Sequence, residues 1–249
     1  MKFSQLADAN DSTMLKNKLR PTNALFQTGE TVTIPVEYNP NGFFVVKLGL
    51  GTPPQTLTFL ILTTLDVSWT LCQDCFTCKK QKFYQSNSST FREASCNPPS
   101  CFLGYYNYID DDSTIISGDL STDALFLNER EVVSGFVFGC SNHYFTPPNT
   151  YAKGVDGYFG LGTGPDSFLS KTVKKYSNTF SYCLPLHNSS GFLLLGEHGS
   201  ADASKPPQFI PLSKTAPLRT SISLTNYVLD LIGVSVGSKY GNLSYSVFQ

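Results

Sequence analysis

Apolar and polar residues alternate along the first strongly patterned stretch of the chain, TVTIPVEY, which begins at Thr31. Alternation with a period of two residues predicts a β-strand with one buried face. The turn sequence NPNG follows at residues 39–42, then the apolar run GFFVVKLGLG, the turn GTPPQ at residues 51–55 and the apolar run LTFLILT. The pattern therefore predicts three strands joined by short turns.

Strand-like runs continue through most of the remaining chain. They are TIISGDLSTDALFL and EVVSGFVFGC, separated by a turn at residues 128–130, and then FSYCLP and GFLLLG. A short amphipathic helix is predicted near residues 167–176, and NYVLDLIGVSVGSK predicts the start of another β unit. Residues 1–30 are polar and irregular, and SADASKPPQ is typical of a linker. An all-β chain is therefore predicted.

Composition and charge exclude several classes of function. Hydrophobic residues make up 41% of the 249 residues, which is enough for a packed core. The formal net charge is −1, and no stripe of Lys or Arg indicates a nucleic-acid partner. No run is long and apolar enough to predict a membrane span. The histidines are scattered without a nucleophile motif nearby, so we interpret them as surface residues: His143, His187 and His198.

The 7 cysteines are many for a cytosolic chain and indicate an oxidising compartment. Sequons at Asn87, Asn188 and Asn242 are compatible with secretion, whereas the start MKFSQLADANDSTMLK has no apolar signal region. Localisation therefore stays open. The spacing CQDCFTC at residues 72–78 fits either a metal site or a loop stapled by disulfides.

Seven segments, in order, resemble landmarks of the plant pepsin-like aspartic proteases of the nepenthesin type: GLGTPPQ, WTLCQDCFTC, FYQSNSSTF, FGC, GYFGLGTGPDSFLS, FSYCL and NYVLDLIGVSVG. Xylanase-inhibitor proteins and related seed globulins are close relatives of that family. The resemblance begins near Val32. It implies an all-β, pepsin-like fold with a nearly complete N-terminal lobe over residues 31–205, a Cys-rich insertion at 72–101, and a linker and the start of a truncated C-terminal lobe over 206–249.

Active members of that family use two Asp residues, one from an Asp-Thr-Gly or Asp-Ser-Gly loop in each lobe. One carboxyl group holds a proton while the other acts as base on a shared water. The family segment Asp-Thr-Gly-Ser-Asp-Leu-Thr-Trp aligns without a gap with LTTLDVSW at residues 62–69. Leu62 therefore occupies the catalytic Asp position, Thr64 the Gly position and Leu65 the Ser position. Because neither loop motif occurs elsewhere, no catalytic residue is assigned.

Two acidic features of the sequence, Asp66 and the run of aspartates at residues 110–112, are interpreted as structural and not as catalytic. Asp66 stands where the family already has an Asp, so we interpret it as a polar residue at the end of the loop. The family flap Tyr-Gly-Asp-Gly-Ser resembles YIDDDS at residues 108–113. Tyr108 is the candidate flap residue if one residue is inserted, and without an insertion Ile109 takes that position. The three aspartates of this run predict a solvated hairpin tip, and alternation along a strand disfavours the alternative of a cation site: Asp110, Asp111 and Asp112.

The resemblance also implies a disulfide framework. Cys72 is expected to pair with Cys140. The other cysteines of the insertion are expected to form two local bridges of undetermined connectivity: Cys75, Cys78, Cys96 and Cys101. Cys183 is then left over, because its family partner lies in the second lobe.

Three hypotheses about function follow: an aspartic endopeptidase, a binding or inhibitor protein of the xylanase-inhibitor type, and a degraded gene product without independent function. The substitution at Leu62 favours a non-catalytic family member over an active enzyme. No cofactor or metal is expected. The expected partner is a peptide or protein in the cleft, and the chain is expected to be a monomer.

Overall fold

The computed structural model of the chain describes residues 30–75, 78, 81–94, 105–109, 115–145, 154–186, 189–196, 210–213, 227–229, 234–236 and 239–241. These residues fall into two compact units. The larger unit comprises the described residues between 30 and 196 together with Tyr227, and the smaller unit comprises the remaining ones. The domain bounds placed at residues 30 and 205 from the sequence stay predictions.

Strands dominate the described residues, and the prediction of an all-β fold is confirmed. The strands are β1 (Val32–Asn39), β2 (Phe43–Leu50), β3 (Gln55–Leu62), β4 (Ser68–Leu71), β5 (Arg92–Glu93), β6 (Tyr105–Ile109), β7 (Ile115–Phe126), β8 (Val132–Phe145), β9 (Gly157–Gly160), β10 (Phe180–Cys183), β11 (Gly191–Leu195), β12 (Val234–Val236) and β13 (Lys239–Gly241). Helical structure in this part of the chain is limited to a 3-10 turn, Gln85–Asn87, and two short helices, α1 (Phe168–Lys171) and α2 (Val173–Tyr176). No helix among the described residues has the length and apolar character needed to cross a bilayer.

Six strands of the larger unit close on themselves. They pair in the order β2, β3, β9, β4, β8 and β7, and β2 also pairs with β7. Closure leaves these strands without a free edge along that path. Strand β1 extends the sheet from β2 to β11 and then to β10, which ends the order on that side. The β3–β9 and β4–β8 pairs are parallel, and this arrangement brings the ends of β3 and β9 together.

Burial explains why these segments form strands. In β1, Val32, Ile34 and Val36 are buried and the residues between them are exposed, as the alternation predicted. All four residues of β4 are buried, because this strand lies between β8 and β9. The core is rich in phenylalanine, and Phe159 and Phe168 have ring centroids 4.9 Å apart. Burying each such side chain contributes roughly 1.5–3 kcal/mol.

The helix predicted near residues 167–176 is two helices. Ser167 caps α1 by accepting a hydrogen bond from the Ser170 amide at 3.2 Å. Thr172 interrupts the segment with φ −107° and ψ 14°. Its hydroxyl donates to the carbonyl of Phe168 at 2.7 Å, a local side-chain bond that competes with continuous helix.

A charged cluster joins the β7–β8 turn to α2. The Tyr176 hydroxyl donates to Glu131 Oε1 at 2.7 Å, and Lys175 Nζ forms an ion pair with the same oxygen. Lys175 Nζ also lies 3.6 Å from Glu30 Oε2. Burial alone raises the pKa of Glu131, but the hydrogen bonds from Lys175 and Tyr176 and the charge of Lys175 outweigh it, so this pKa is lowered. Folding therefore favours the ionised form of Glu131.

We expect Glu131→Gln to lower the free energy of unfolding by about 1 kcal/mol at neutral pH. The pKa of Glu131 is lower in the folded chain than its ordinary value of 4.5. Its stabilising contribution is therefore complete above that value and is lost as pH falls through the folded pKa. In urea unfolding followed over a range of acid pH, the difference between wild type and variant should shrink toward zero as pH falls.

The matched control for this prediction is Glu37→Gln. It removes the 2.8 Å ion pair with Lys47, in which both side chains are more than half exposed. This change should cost less than about 0.5 kcal/mol at any pH. If Glu131→Gln had the same small effect as the control, the charged cluster would not contribute to stability.

Candidate functional site

The candidate site is the pair of loops that follow β3 and β9. Leu62, the last residue of β3, lies opposite Gly160, the last residue of β9. The Leu161 amide donates to the Leu62 carbonyl at 2.8 Å, and the Gly162 amide donates to the Leu65 carbonyl at 2.9 Å. The two loops are therefore joined backbone to backbone at the point where the alignment predicts the position of the first catalytic Asp.

Leu62 brings a hydrocarbon side chain to this position. It is partly buried and packs against an apolar cluster that comprises Val45, Leu65, Trp69, Ile116, Val155 and Tyr158. Thr63 is also partly buried, and Thr64 is exposed. Among the described residues other than glycine, only Ser177 and Asn178 have positive φ, so Thr64 fits its place without a left-handed backbone. The side chains of Leu62 and both threonines carry no ionisable group.

Asp66 lies four residues beyond Leu62 and holds the second loop in place. Its Oδ1 atom accepts a hydrogen bond from the Gly164 amide at 2.9 Å. A hydrogen bond to a charged acceptor typically contributes about 1.5–3 kcal/mol. The geometry therefore gives Asp66 a supporting role in the loop pair.

The closely spaced glycines of GYFGLGTG allow this contact. A Cβ atom at Gly162 would lie 2.3 Å from Asp66 Oδ1, and one at Gly164 would lie 2.3 Å from Asp66 Oδ2. A Cβ atom at Gly160 would lie 2.6 Å from the Leu65 carbonyl oxygen. The sequence predicted tight turns in this segment, and the physical reason is the close approach of the two loops.

Sequence reasoning missed Tyr227, which completes the loop pair. Its hydroxyl donates to the Leu161 carbonyl at 2.9 Å, and its ring packs edge-on against Phe180 with centroids 5.7 Å apart. Burial, and then the negative charge of Asp66, raises the pKa of Tyr227, so it stays a protonated donor. In the sequence Tyr227 stands out only as part of the family segment NYVLDL, and that segment does not indicate a bond to the Leu161 carbonyl.

We expect Asp66→Ala to lower the free energy of unfolding by about 2 kcal/mol, because the Gly164 amide loses a charged acceptor. Asp66→Asn keeps one side-chain oxygen and should cost about half as much. Thermal unfolding followed by circular dichroism measures both. Equal losses in the two variants would contradict a supporting role for this hydrogen bond.

Trp69 and Ser68 form the base of the first loop. Trp69 is 1% exposed, which confirms its interpretation as a core residue. A Cβ atom at Gly139 would lie 2.2 Å from the indole, so the ring packs directly on the β8 backbone. Ser68 is buried, and its Oγ accepts from the Gly160 amide at 3.0 Å. Both residues tie the loop to strands of the barrel.

The candidate flap lies on the β6–β7 hairpin. Tyr108 belongs to β6 and is paired with Ile116 of β7. The aspartates of the predicted hairpin tip, residues 110–112, lie outside the described residues. The role of Tyr108 as a flap residue stays a prediction.

The structure brings two pairs of the predicted cysteines together. Disulfides join Cys72 to Cys140 and Cys75 to Cys78. Cys96 and Cys101 lie outside the described residues. Cys183 is exposed and has no disulfide partner in the described part of the chain.

The described residues contain no group of three or more His, Cys, Asp or Glu side chains with the geometry of a metal site. His143 is exposed, as expected for a surface residue. His187 and His198 lie outside the described residues. The described side chains therefore give no location for a metal ion.

The closed barrel, the paired loops at the ends of β3 and β9 and the disulfide between Cys72 and Cys140 define a pepsin-like lobe. The family model described as "Xylanase inhibitor N-terminal" matches residues 44–197. The chain belongs to this family of plant pepsin-like aspartic proteases and their xylanase-inhibitor relatives.

Curated relatives carry protease names. The chain is 33% identical to aspartyl protease AED1 of Arabidopsis thaliana over 80% of its own length and 43% of that protein. It is 32% identical to aspartyl protease AED3 of the same plant over 91% of the chain and 51% of that protein. It is 29% identical to aspartic proteinase nepenthesin-2 of Nepenthes gracilis over 94% of the chain and 54% of that protein. The chain thus spans about half the length of the relatives it matches.

Proposed function

We propose that this chain is a non-catalytic member of the aspartic protease family that binds a peptide or protein segment at the loop pair without hydrolysing it. The observation that carries the proposal is Leu62 at the end of β3, with its backbone held by Leu161 and its side chain in the apolar cluster. This side chain has no oxygen and no exchangeable proton.

The chemistry of peptide hydrolysis by this family requires two carboxyl groups that share one proton and one water. A leucine at one of the two positions removes both the acceptor for the water proton and the hydrogen bond that orients the water. Asp66 is a poor substitute, because its Oδ1 atom is engaged by the Gly164 amide. Fold alone does not supply the missing group.

The residues that stand in place of the family motif, Leu62 and Thr64 among them, also favour the binding of a ligand. Leu62, Thr63 and Thr64 have uncharged side chains, and Leu62 packs against the buried cluster that contains Trp69 and Tyr158. Removing a carboxylate from such a surface lowers the cost of burying an apolar side chain there, because no charge has to be desolvated. We therefore expect the preferred ligand to present an apolar side chain to Leu62.

Binding is testable through Trp69, the only tryptophan of the chain. The probe is a set of synthetic octapeptides with a central Leu, Phe or Asp, added to the purified full chain while tryptophan fluorescence is followed. Peptides with a central Leu or Phe should change the fluorescence saturably, and those with Asp should bind at least about tenfold more weakly. Leu62→Asp should weaken binding of the apolar peptides by a similar factor.

The control variant is Val173→Asp, which places a carboxylate on a side chain that is 47% exposed, outside the loop pair. Binding by this variant should equal that of the wild type. A fluorescence response that is absent for every peptide, or unaltered by Leu62→Asp, would count against a binding role for this surface.

A second candidate function is inhibition of a xylanase, favoured by the description of the matching family model. A xylanase inhibitor would use the same scaffold without hydrolysing a peptide, but its ligand would be a folded enzyme. Titrating the purified chain into an endoxylanase assay distinguishes the two candidates. Stoichiometric loss of xylanase activity would favour the inhibitor, and unchanged activity would favour the peptide-binding protein.

A further inference from the structure

An exposed sequon lies at the 3-10 turn of the larger unit. Asn87, Ser88 and Ser89 form an Asn-X-Ser triplet, the sequence that accepts N-linked sugars at protein surfaces. Asn87 is exposed, and its side-chain amide forms no hydrogen bond with any described residue. A sugar on this nitrogen would therefore replace no hydrogen bond of the folded chain. The other two sequons begin at asparagines outside the described residues: Asn188 and Asn242.

A second feature of this turn is an exposed aromatic ring three residues before Asn87. The side chain of Tyr84 is 49% exposed. Its ring stacks on no other aromatic ring and its hydroxyl forms no hydrogen bond within the described part of the chain. Single exposed apolar side chains are common at protein surfaces, so what this ring indicates depends on its neighbour. Here the neighbour is the acceptor residue of the sequon.

The backbone holds Tyr84 and Asn87 close together. The Asn87 amide donates to the Tyr84 carbonyl at 3.0 Å and closes a turn. The two end residues of such a turn have Cα atoms less than about 7 Å apart. Gln55 fixes the turn from one side, since its Nε2 atom donates to the Tyr84 carbonyl and its Oε1 atom accepts from the Tyr84 amide, both at 2.9 Å. Ser86 Oγ donates to Gln73 Oε1 at 2.8 Å on the other side, so the turn is positioned before any sugar is attached.

We propose that Asn87 carries an N-linked glycan and that the ring of Tyr84 packs against its first sugar. The first sugar of such a glycan, N-acetylglucosamine, has a face of C–H groups with a small positive charge. The face of an aromatic ring is apolar and negative, so the two surfaces are complementary. Each covers the other from water, and the attached glycan therefore stabilises the folded chain. This site does not depend on the binding proposed for the loop pair.

The disulfides of the chain fit the compartment in which this modification takes place. Disulfides form and persist in oxidising compartments such as the lumen of the endoplasmic reticulum, where N-linked glycans are attached. Two bridges are described, one between Cys72 and Cys140 and one between Cys75 and Cys78. The bridges and the sequon are independent features of the chain, and both point to the same compartment.

The sugar donor is a lipid-linked oligosaccharide diphosphate. The side-chain amide nitrogen of Asn87 attacks the anomeric carbon of the donor, forms a C–N bond and loses one proton. The bond between that carbon and the diphosphate oxygen breaks, and the lipid diphosphate leaves with the electron pair. Neither an oxidant nor a reductant takes part. The Ser89 hydroxyl completes the triplet that the transferase recognises.

The site is tested by translating the full chain, joined to a secretory leader, in the presence of microsomes from the endoplasmic reticulum. Trypsin cleaves after Lys82 and Arg92 and releases FYQSNSSTFR, a peptide that contains Asn87 and no other sequon. Mass spectrometry should find N-acetylglucosamine and hexose units on this peptide. Asn87→Gln and Ser89→Ala should each abolish the sugar, whereas Ser88→Ala keeps an Asn-X-Ser triplet and should keep the sugar. Chain that is protected inside the microsomes from added protease and carries no sugar on this peptide would overturn the proposal.

The contact with Tyr84 is tested by thermal unfolding of the glycosylated full chain, purified from plant cells and followed by circular dichroism. Relative to Asn87→Gln, the glycosylated chain should gain about 2 °C or more in its unfolding midpoint. The same comparison in a Tyr84→Ala background should give less than half of this gain, and a Tyr84→Phe background should retain it. Tyr182→Ala removes a comparably exposed ring, 54% exposed, and should leave the gain unaltered. No gain in the wild type, or an equal gain with and without the Tyr84 ring, would overturn the contact.

Discussion

Trp69→Ala is expected to lower the free energy of unfolding by about 4 kcal/mol, a large share of the roughly 5–15 kcal/mol of a typical domain. The indole is 1% exposed and packs on the backbone at Gly139 and on the cluster that contacts Leu62. Its removal leaves a cavity that rigid barrel strands cannot close. Urea unfolding followed by circular dichroism measures the loss, since the variant has no tryptophan.

Trp69→Phe is the matched control for this prediction. It keeps an aromatic ring over Gly139 and should cost about 1–2 kcal/mol, at most half of the loss in the alanine variant. A cost below about 1 kcal/mol for the alanine variant would show that the loop and the barrel strands do not depend on this side chain.

Removing the disulfide between Cys72 and Cys140 with a double Ala variant is expected to cost a similar amount, about 4 kcal/mol. This bridge closes a loop with a sequence separation of 68 residues and ties the end of β4 to β8. Without it the unfolded chain gains conformational freedom, while the folded barrel keeps its strand pairs. The midpoint and slope of urea unfolding report the change.

The control is the double Ala variant of Cys75 and Cys78, whose sequence separation is 3. Loop closure by this bridge is worth only about 1–2 kcal/mol. Equal losses in the two double variants would mean that the larger loop does not restrict the unfolded chain. That result would contradict a stabilising role for the long-range bridge.

The strands were predictable because their signal is local. The alternation in β1 and the turns NPNG and GTPPQ fix the first three strands without knowledge of the rest of the chain. Closure of the barrel was not predictable, because the β2–β7 pair joins residues far apart in sequence. The break at Thr172 was also not predicted, because the hydrogen bond from its hydroxyl to the Phe168 carbonyl leaves no mark on the hydrophobic pattern.

Part of the candidate site was likewise predictable from the sequence and part was not. Its position was predicted from the alignment of LTTLDVSW with the family segment and stays a prediction, and in the structure Leu62 is the last residue of β3. The partner of Asp66 was hidden, because the Gly164 amide is a backbone group and carries no sequence signal. Tyr227 was missed for a related reason, as its partner is the Leu161 carbonyl.

We propose that the loop pair keeps the scaffold of an aspartic protease without its chemistry. The supporting Asp66 and the glycines that admit it are present, while the alignment predicts that Leu62, a hydrocarbon side chain, stands at the position of the reacting group. The role proposed for this surface is therefore binding, and retention of the loop architecture is what a rigid binding surface requires.

The most direct test is hydrolysis of a denatured protein substrate by the purified full chain at acid pH, with a statine-type peptide inhibitor as the control. We predict cleavage no faster than in a blank without the chain, with or without the inhibitor. Cleavage that co-purifies with the chain and is stopped by the inhibitor would contradict the central claim that Leu62 leaves this loop without catalytic chemistry.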